Sequence, residues 1–112
     1  MAIGCDFYFA DAVLALRREH PEITLEAAVP CSTQADRWTR TQKEEYSRLL
    51  NACDSITVLS TVYTKECMMQ RNRYMVDHSS LLLACFSGQA SGTMNTIVYA
   101  QRSSVETKII EI

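Results

Sequence analysis

Gly88, Ser91, Gly92 and Thr93 fall inside one short stretch, SGQASGT from Ser87 to Thr93, and together they could hold an anion. Glycine has no Cβ, so a ligand can come close to the backbone amides beside it. A helix that starts directly afterwards adds unpaired N–H groups and the positive end of its dipole. That combination suits a phosphate above other groups. The same residues also suit an ordinary strand-to-helix turn in which glycines provide only tight geometry, and composition alone does not choose between the two.

The elements that must position this loop can be read on either side of it. LLLACF, residues 81–86, is apolar at every position, which predicts a central parallel strand covered on both faces. A helix is expected over residues 92–102, with Met94, Ile97, Val98 and Ala100 as its apolar contacts. The loop then lies at the carboxyl edge of a sheet, where open α/β folds bind ligands.

Upstream, Phe7, Ala10, Val13 and Leu14 recur at helical spacing over residues 6–20, with Arg17 and Arg18 in the last turn and Pro21 as the stop. Asp6 stands where it could cap that helix or take ribose hydroxyls. Ile23, Leu25, Ala27 and Val29 alternate with Thr24 and Glu26, which predicts a strand over 23–29 near a sheet edge, closed by Pro30. Thr41 and Glu44 have capping-box spacing for a second helix, which turns Tyr46, Leu49, Leu50 and Cys53 inward. A short strand over 56–59 follows. A third helix, ending near Asp77, rests on Met68, Met69, Tyr74, Met75 and Val76, and the last strand is expected over 108–112. Strands and helices in this alternation imply parallel pairing through right-handed crossovers, an α/β class with one domain spanning 1–112.

Composition excludes several functions. The net charge is -2, and no cluster of Lys and Arg offers a surface for DNA, so nucleic acid is not expected as a partner. No run is long enough to span a bilayer. The opening residues lack a basic lead and are interrupted by Asp6 and Asp11, which points to a helix in a cytoplasmic protein and not to a signal peptide. Five scattered cysteines, without a C-x-x-C pair, read as reduced thiols, with Cys53 and Cys85 as small core residues. With two histidines in the chain, no metal site is expected.

Four segments taken together carry a resemblance: GCD at Gly4 to Asp6, PCSTQADRW from Pro30 to Trp38, RNRYMVDHS from Arg71 to Ser79, and GQASGT from Gly88 to Thr93. In order and spacing they resemble the YpsA-like family of the SLOG superfamily, bacterial and phage Rossmann-like proteins thought to bind nucleotide-derived ligands. The resemblance covers nearly the whole chain. It implies a three-layer α/β/α arrangement with a mainly parallel sheet of about four strands. It also implies that the amino-terminal strands of the family fold are missing, the sequence starting inside the family's G-x-A-x-G-x-D motif. Strand edges left open in this way need cover, so a homodimer is expected.

The resemblance further implies a ligand site. Gly88, Ser91, Gly92 and Thr93 would cradle a phosphate, Arg71 would add charge, Asn72 and Asp77 would fix the pocket or the sugar, and Gly4 with Asp6 would line an opposite wall. A nucleotide such as NAD, ADP-ribose or AMP is the implied ligand. Trp38, the single tryptophan, could cover the site or anchor packing. The chain is similar in the same region to the LOG-type phosphoribohydrolases. There Arg71 matches an arginine and Gly92-Thr93 match G-T, but Thr96 stands where those enzymes carry a glutamate, and Ser80 and Ser91 replace an aspartate and a glycine. A threonine cannot serve as a comparable base or stabilise an oxocarbenium-like centre, so a non-catalytic binding protein is expected. The alternatives are a nucleotide N-glycosidase in which Asp77 or Asp6 stands in, and an interaction fragment without an intact site.

Overall fold

The computed structural model describes residues 4–88 and 92–112. Helices and strands alternate along the chain: α1 (Cys5–Arg17), β1 (Glu26–Val29), α2 (Arg40–Ala52), β2 (Ser55–Val58), α3 (Cys67–Asp77), β3 (Leu81–Phe86), α4 (Gly92–Arg102) and β4 (Glu106–Glu111). This is a Rossmann-like α/β architecture with parallel pairing throughout. The chain forms two compact units, Met1–Thr64 and Lys65–Ile112, each holding one two-stranded sheet.

In the first unit β1 and β2 pair in parallel, with Glu26 opposite Ser55 and Val29 opposite Val58. The core consists of Phe7 and Ala10 from α1, Leu25, Ala27 and Val29 around β1, and Leu49 from α2, with Val13, Leu14, Tyr46, Leu50 and Cys53 packed against it. These are the apolar positions expected of α1 and α2. β1 starts later than its alternation implies because residues before it have other partners. The Ile23 amide bonds the His20 carbonyl in a turn (3.0 Å), and the Leu25 amide donates to the Asp54 carboxylate at 2.7 Å. Asp54 also receives Arg17 Nη1 at 2.9 Å, while Arg17 Nη2 donates to the Ala52 carbonyl at the end of α2. One carboxylate thus ties the end of α1 to the start of β1 and the turn into β2.

Two caps differ from expectation. Gly4, at φ 93°, is the N-cap of α1, and Asp6 lies within the first turn, where a carboxylate faces the positive end of the helix. For α2 the capping box is Thr39 with Gln42 and not Thr41 with Glu44. Thr39 Oγ1 accepts from the Gln42 amide (3.2 Å), and Gln42 Oε1 accepts from the Thr39 amide (3.0 Å). Both pairs have the same spacing. The earlier one lengthens the helix and leaves the Glu44 carboxylate free to receive Arg40 Nε at 3.1 Å.

In the second unit β3 and β4 pair in parallel over six positions, from Leu81 opposite Glu106 to Phe86 opposite Glu111. The crossover between them is α4, which packs on both strands and on α3. Cys67, Val76, Ala84, Ile97 and Ala100 are buried. β3 has the expected bounds but not the expected cover on both faces. Side chains alternate across a strand: Ala84 is buried, while Leu81 and Leu83 on the other face are 45% and 43% exposed. On α3, Cys67 is buried where Met68 was the expected contact, and Met68 is exposed. β4 begins earlier than expected, after a turn in which Ser104 takes φ 60° and the Val105 amide returns to the Ala100 carbonyl at 2.9 Å.

Candidate functional site

The loop after β3 is where the sequence places a phosphate. Gly88 has φ 91°, a left-handed value that strains any residue with a Cβ. Ser91 lies outside the described residues. Gly92 is the first residue of α4 and Thr93 the second, so their amides belong to the first turn, whose N–H groups have no partner within the helix. A Cβ built on Gly88 or on Gly92 would meet nothing within 4 Å. The backbone at both glycines therefore faces open space, which a bulky ligand group requires.

Thr96, at the position of the LOG-type glutamate, is 6% exposed. Its Oγ1 donates to the Gly92 carbonyl one turn back, at 2.8 Å. The hydroxyl is committed to the helix backbone and supplies neither charge nor a base.

On α3, Arg71 is 5% exposed, and its Nε donates to Asn72 Oδ1 at 2.8 Å. The guanidinium is thus nearly buried, with the neighbouring amide as one of its partners. The structure therefore brings Arg71 and Asn72 together as a pair. Asp77, the last residue of α3, has a different partner: its Oδ1 accepts from the Tyr99 hydroxyl of α4 at 2.7 Å. That hydrogen bond, assisted by partial burial and the carboxylate charge, pushes the Tyr99 phenol above its usual range. The Arg73 guanidinium lies 5.4 Å from the centre of the Tyr99 ring.

Gly4, Asp6 and Trp38 belong to the first unit. There Trp38 stands edge-on to Tyr46 at 5.1 Å and to Phe7 at 6.0 Å, and Phe7 and Tyr46 stack at 6.4 Å. Of its two expected uses, the packing one is visible. Burial also pushes the Tyr46 phenol up.

All five cysteines are free thiols. Cys31 and Cys67 are the buried ones, while Cys53 and Cys85 are half-buried. Burial, and after it the charge of Asp54, pushes the Cys53 thiol up, which keeps it protonated and unreactive. Among the described residues no three His, Cys, Asp or Glu side chains converge as a metal site would need, and no helix is long and apolar enough to cross a membrane.

Tyr99 and Asp54 were not singled out from sequence. An acidic residue closing a helix, as Asp77 does against the dipole, is the signal that a specific donor such as Tyr99 must be nearby. For Asp54 no local pattern exists, because its partners are 29 and 37 residues away.

Helices alternating with strands that pair in parallel define a Rossmann-like α/β protein. The family model of the YpsA (YspA) SLOG family matches residues 1–112, and the chain belongs to that family. It is 32% identical over 114 residues to the uncharacterized SPbeta prophage-derived protein YoqJ of Bacillus subtilis (strain 168), covering 91% of this chain and 67% of that protein. It is 24% identical over 112 residues to a UPF0398 protein of Bacillus pumilus (strain SAFR-032), covering 98% and 60%. A UPF0398 protein of Bacillus thuringiensis (strain Al Hakam) is 24% identical over 106 residues, covering 93% and 58%. The chain thus spans about three fifths of the UPF0398 proteins it matches.

Proposed function

We propose that this protein binds a nucleotide-derived ligand without cleaving it, the phosphate resting on the loop of residues 88–93 and the first turn of α4. The observation that carries the reading is the open backbone at Gly88 and Gly92, at the point where a parallel strand hands over to a helix N-terminus. Gly88, Ser91, Gly92 and Thr93 form the cradle, and buried Arg71, oriented by Asn72, supplies positive potential within the same unit. Asp77 acts indirectly, holding Tyr99 of α4. The committed hydroxyl of Thr96 supports binding over hydrolysis.

The protein works in the cytoplasm with its five thiols reduced, as a homodimer. Half-exposed Leu81, Leu83 and Ile110 and the open edges of two-stranded sheets support a second copy, which light scattering after size exclusion tests.

The ligand is tested by thermal shift with NAD, ADP-ribose and AMP. A ligand at one hundred times its Kd stabilises the folded state by about 2.7 kcal/mol, which for a chain of this length raises Tm by on the order of 10 °C. A shift with at least one of the three, together with no release of free base, is expected. No shift with any, or release of base from AMP, overturns the reading.

A further inference from the structure

Between α3 and α4, a shallow recess of about 320 Å³ is lined by Met69, Arg73, Asn95, Val98, Tyr99 and Arg102. The spacing accounts for it. Met69 and Arg73 are four apart on α3, and Asn95, Val98, Tyr99 and Arg102 recur at i, i+3, i+4 and i+7 on α4, so each set shares one helix face. Arg102 closes α4, ten residues from Gly92, about 15 Å along the helix axis. The Arg102 end of the recess therefore lies away from the loop of residues 88–93, while Asn95 stands one turn from Gly92.

Its charge is unusual for this chain. Arg17, Arg40 and Arg48 each hold a carboxylate. Among the described residues, no carboxylate lies within 4.0 Å of the Arg73 or the Arg102 guanidinium. The nearby acid, Asp77, accepts from the Tyr99 hydroxyl. Two guanidinium groups thus face one recess in a protein of net charge -2. The same recess is lined by the Asn95 amide, a further donor, and by Met69, Val98 and Tyr99, whose ring Arg73 overlies.

Guanidinium forks match the oxygens of phosphate and carboxylate, and a recess that mixes Arg73, Asn95 and Arg102 with Met69, Val98 and Tyr99 suits an anion carried on a small organic body. We propose that this recess is a second binding site, for a small organic anion whose phosphate- or carboxylate-type group is gripped by Arg73 and Arg102 and whose body rests on Tyr99. The site does not depend on the reading of the loop.

The test is calorimetric titration at low salt with phenyl phosphate, benzoate and inorganic phosphate, accompanied by the amide and side-chain NMR spectrum. Saturable binding of phenyl phosphate or benzoate that moves the Asn95 side-chain signal is expected, and the preferred probe tells phosphate from carboxylate. Arg73→Gln and Arg102→Gln should each weaken it about tenfold, the share of one charged hydrogen bond, while Gly92→Asp, at the far end of α4 from Arg102, weakens it less than either. Both arginines are exposed, so the variants keep their fold, which circular dichroism checks. No saturable binding of either organic probe, binding indifferent to both arginine variants, or binding lost in Gly92→Asp each overturns the proposal. Inorganic phosphate bound as tightly as phenyl phosphate overturns the part assigned to Tyr99.

Discussion

Replacing Gly92 by aspartate should strengthen the fold and weaken the ligand, two effects of opposite sign from one carboxylate. The position is sterically free, with nothing within 4 Å of a built Cβ and no left-handed φ. Gly92 opens α4, so the substitution removes the flexibility of glycine and places a negative charge at the positive end of the helix. The first effect contributes about 0.5 kcal/mol and the second about 0.3–1 kcal/mol, so urea unfolding without ligand should show a gain of about 1 kcal/mol at constant m-value. A phosphate seated on the same turn would meet that carboxylate at roughly 5 Å. At an effective dielectric of about 20–40, one phosphate charge is then repelled by about 2–3 kcal/mol. Affinity should fall roughly 30- to 150-fold. Gly92→Asn has nearly the same shape without the charge, and should retain most of the affinity. The assay is the thermal shift with AMP or ADP-ribose for the three proteins side by side. A ligand shift undiminished in Gly92→Asp would refute an anion at this helix start, and equal losses in the Asp and Asn variants would replace the electrostatic argument with a steric one.

Three further outcomes follow from contacts away from the loop. Asp54→Ala removes the acceptor of the Leu25 amide together with the partly exposed Arg17 pair; it should cost about 2 kcal/mol in urea unfolding, mostly from the orphaned amide, with Asp54→Asn costing less. Tyr99 is held protonated first of all by its hydrogen bond to Asp77. Its folded pKa stands above the unfolded value, so its contribution is fully present below about pH 10 and lost as pH rises through the folded value. Ultraviolet titration should show Tyr46 and Tyr99 as late tyrosines, of which Tyr99 alone moves back toward the ordinary range in Asp77→Ala. Thr96→Val removes a hydroxyl bonded only to its own helix, and should change stability by less than about 1 kcal/mol and leave the nucleotide shift intact; a lost shift would put Thr96 in the site.

Local patterns were readable wherever one element contained its own explanation. β3 could be bounded from six consecutive apolar residues, and α1 and α2 showed their inward faces through Phe7, Ala10 and Leu49. Thr39 with Gln42 and Thr41 with Glu44 satisfy the same capping rule, so only the folded helix could decide between them. The bare face of β3 at Leu81 and Leu83 was hidden for a related reason: an apolar run states what a strand would tolerate, not how many layers the chain supplies. In the candidate site, the glycines could be read as the ends of a strand-to-helix loop, and the structure gives Gly88 a positive φ and puts Gly92 at the start of α4. The burial of Arg71 had a faint signal, its place four residues after buried Cys67 on the same face of α3. The Asp77 to Tyr99 bond joins residues 22 apart, a distance over which no period or motif carries information.

Trp38 also has a consequence for measurement. It is the single tryptophan, and its ring lies against Phe7 of α1 and Tyr46 of α2, so its fluorescence follows the melting of the first unit alone. Circular dichroism sees the helices of both. If emission and ellipticity trace one denaturation curve, the two halves of the chain unfold as a cooperative whole; if the curves separate, the gap between their midpoints measures how weakly the halves are coupled. The chain therefore carries its own optical gauge of whether an anion bound to the second unit is felt by the first.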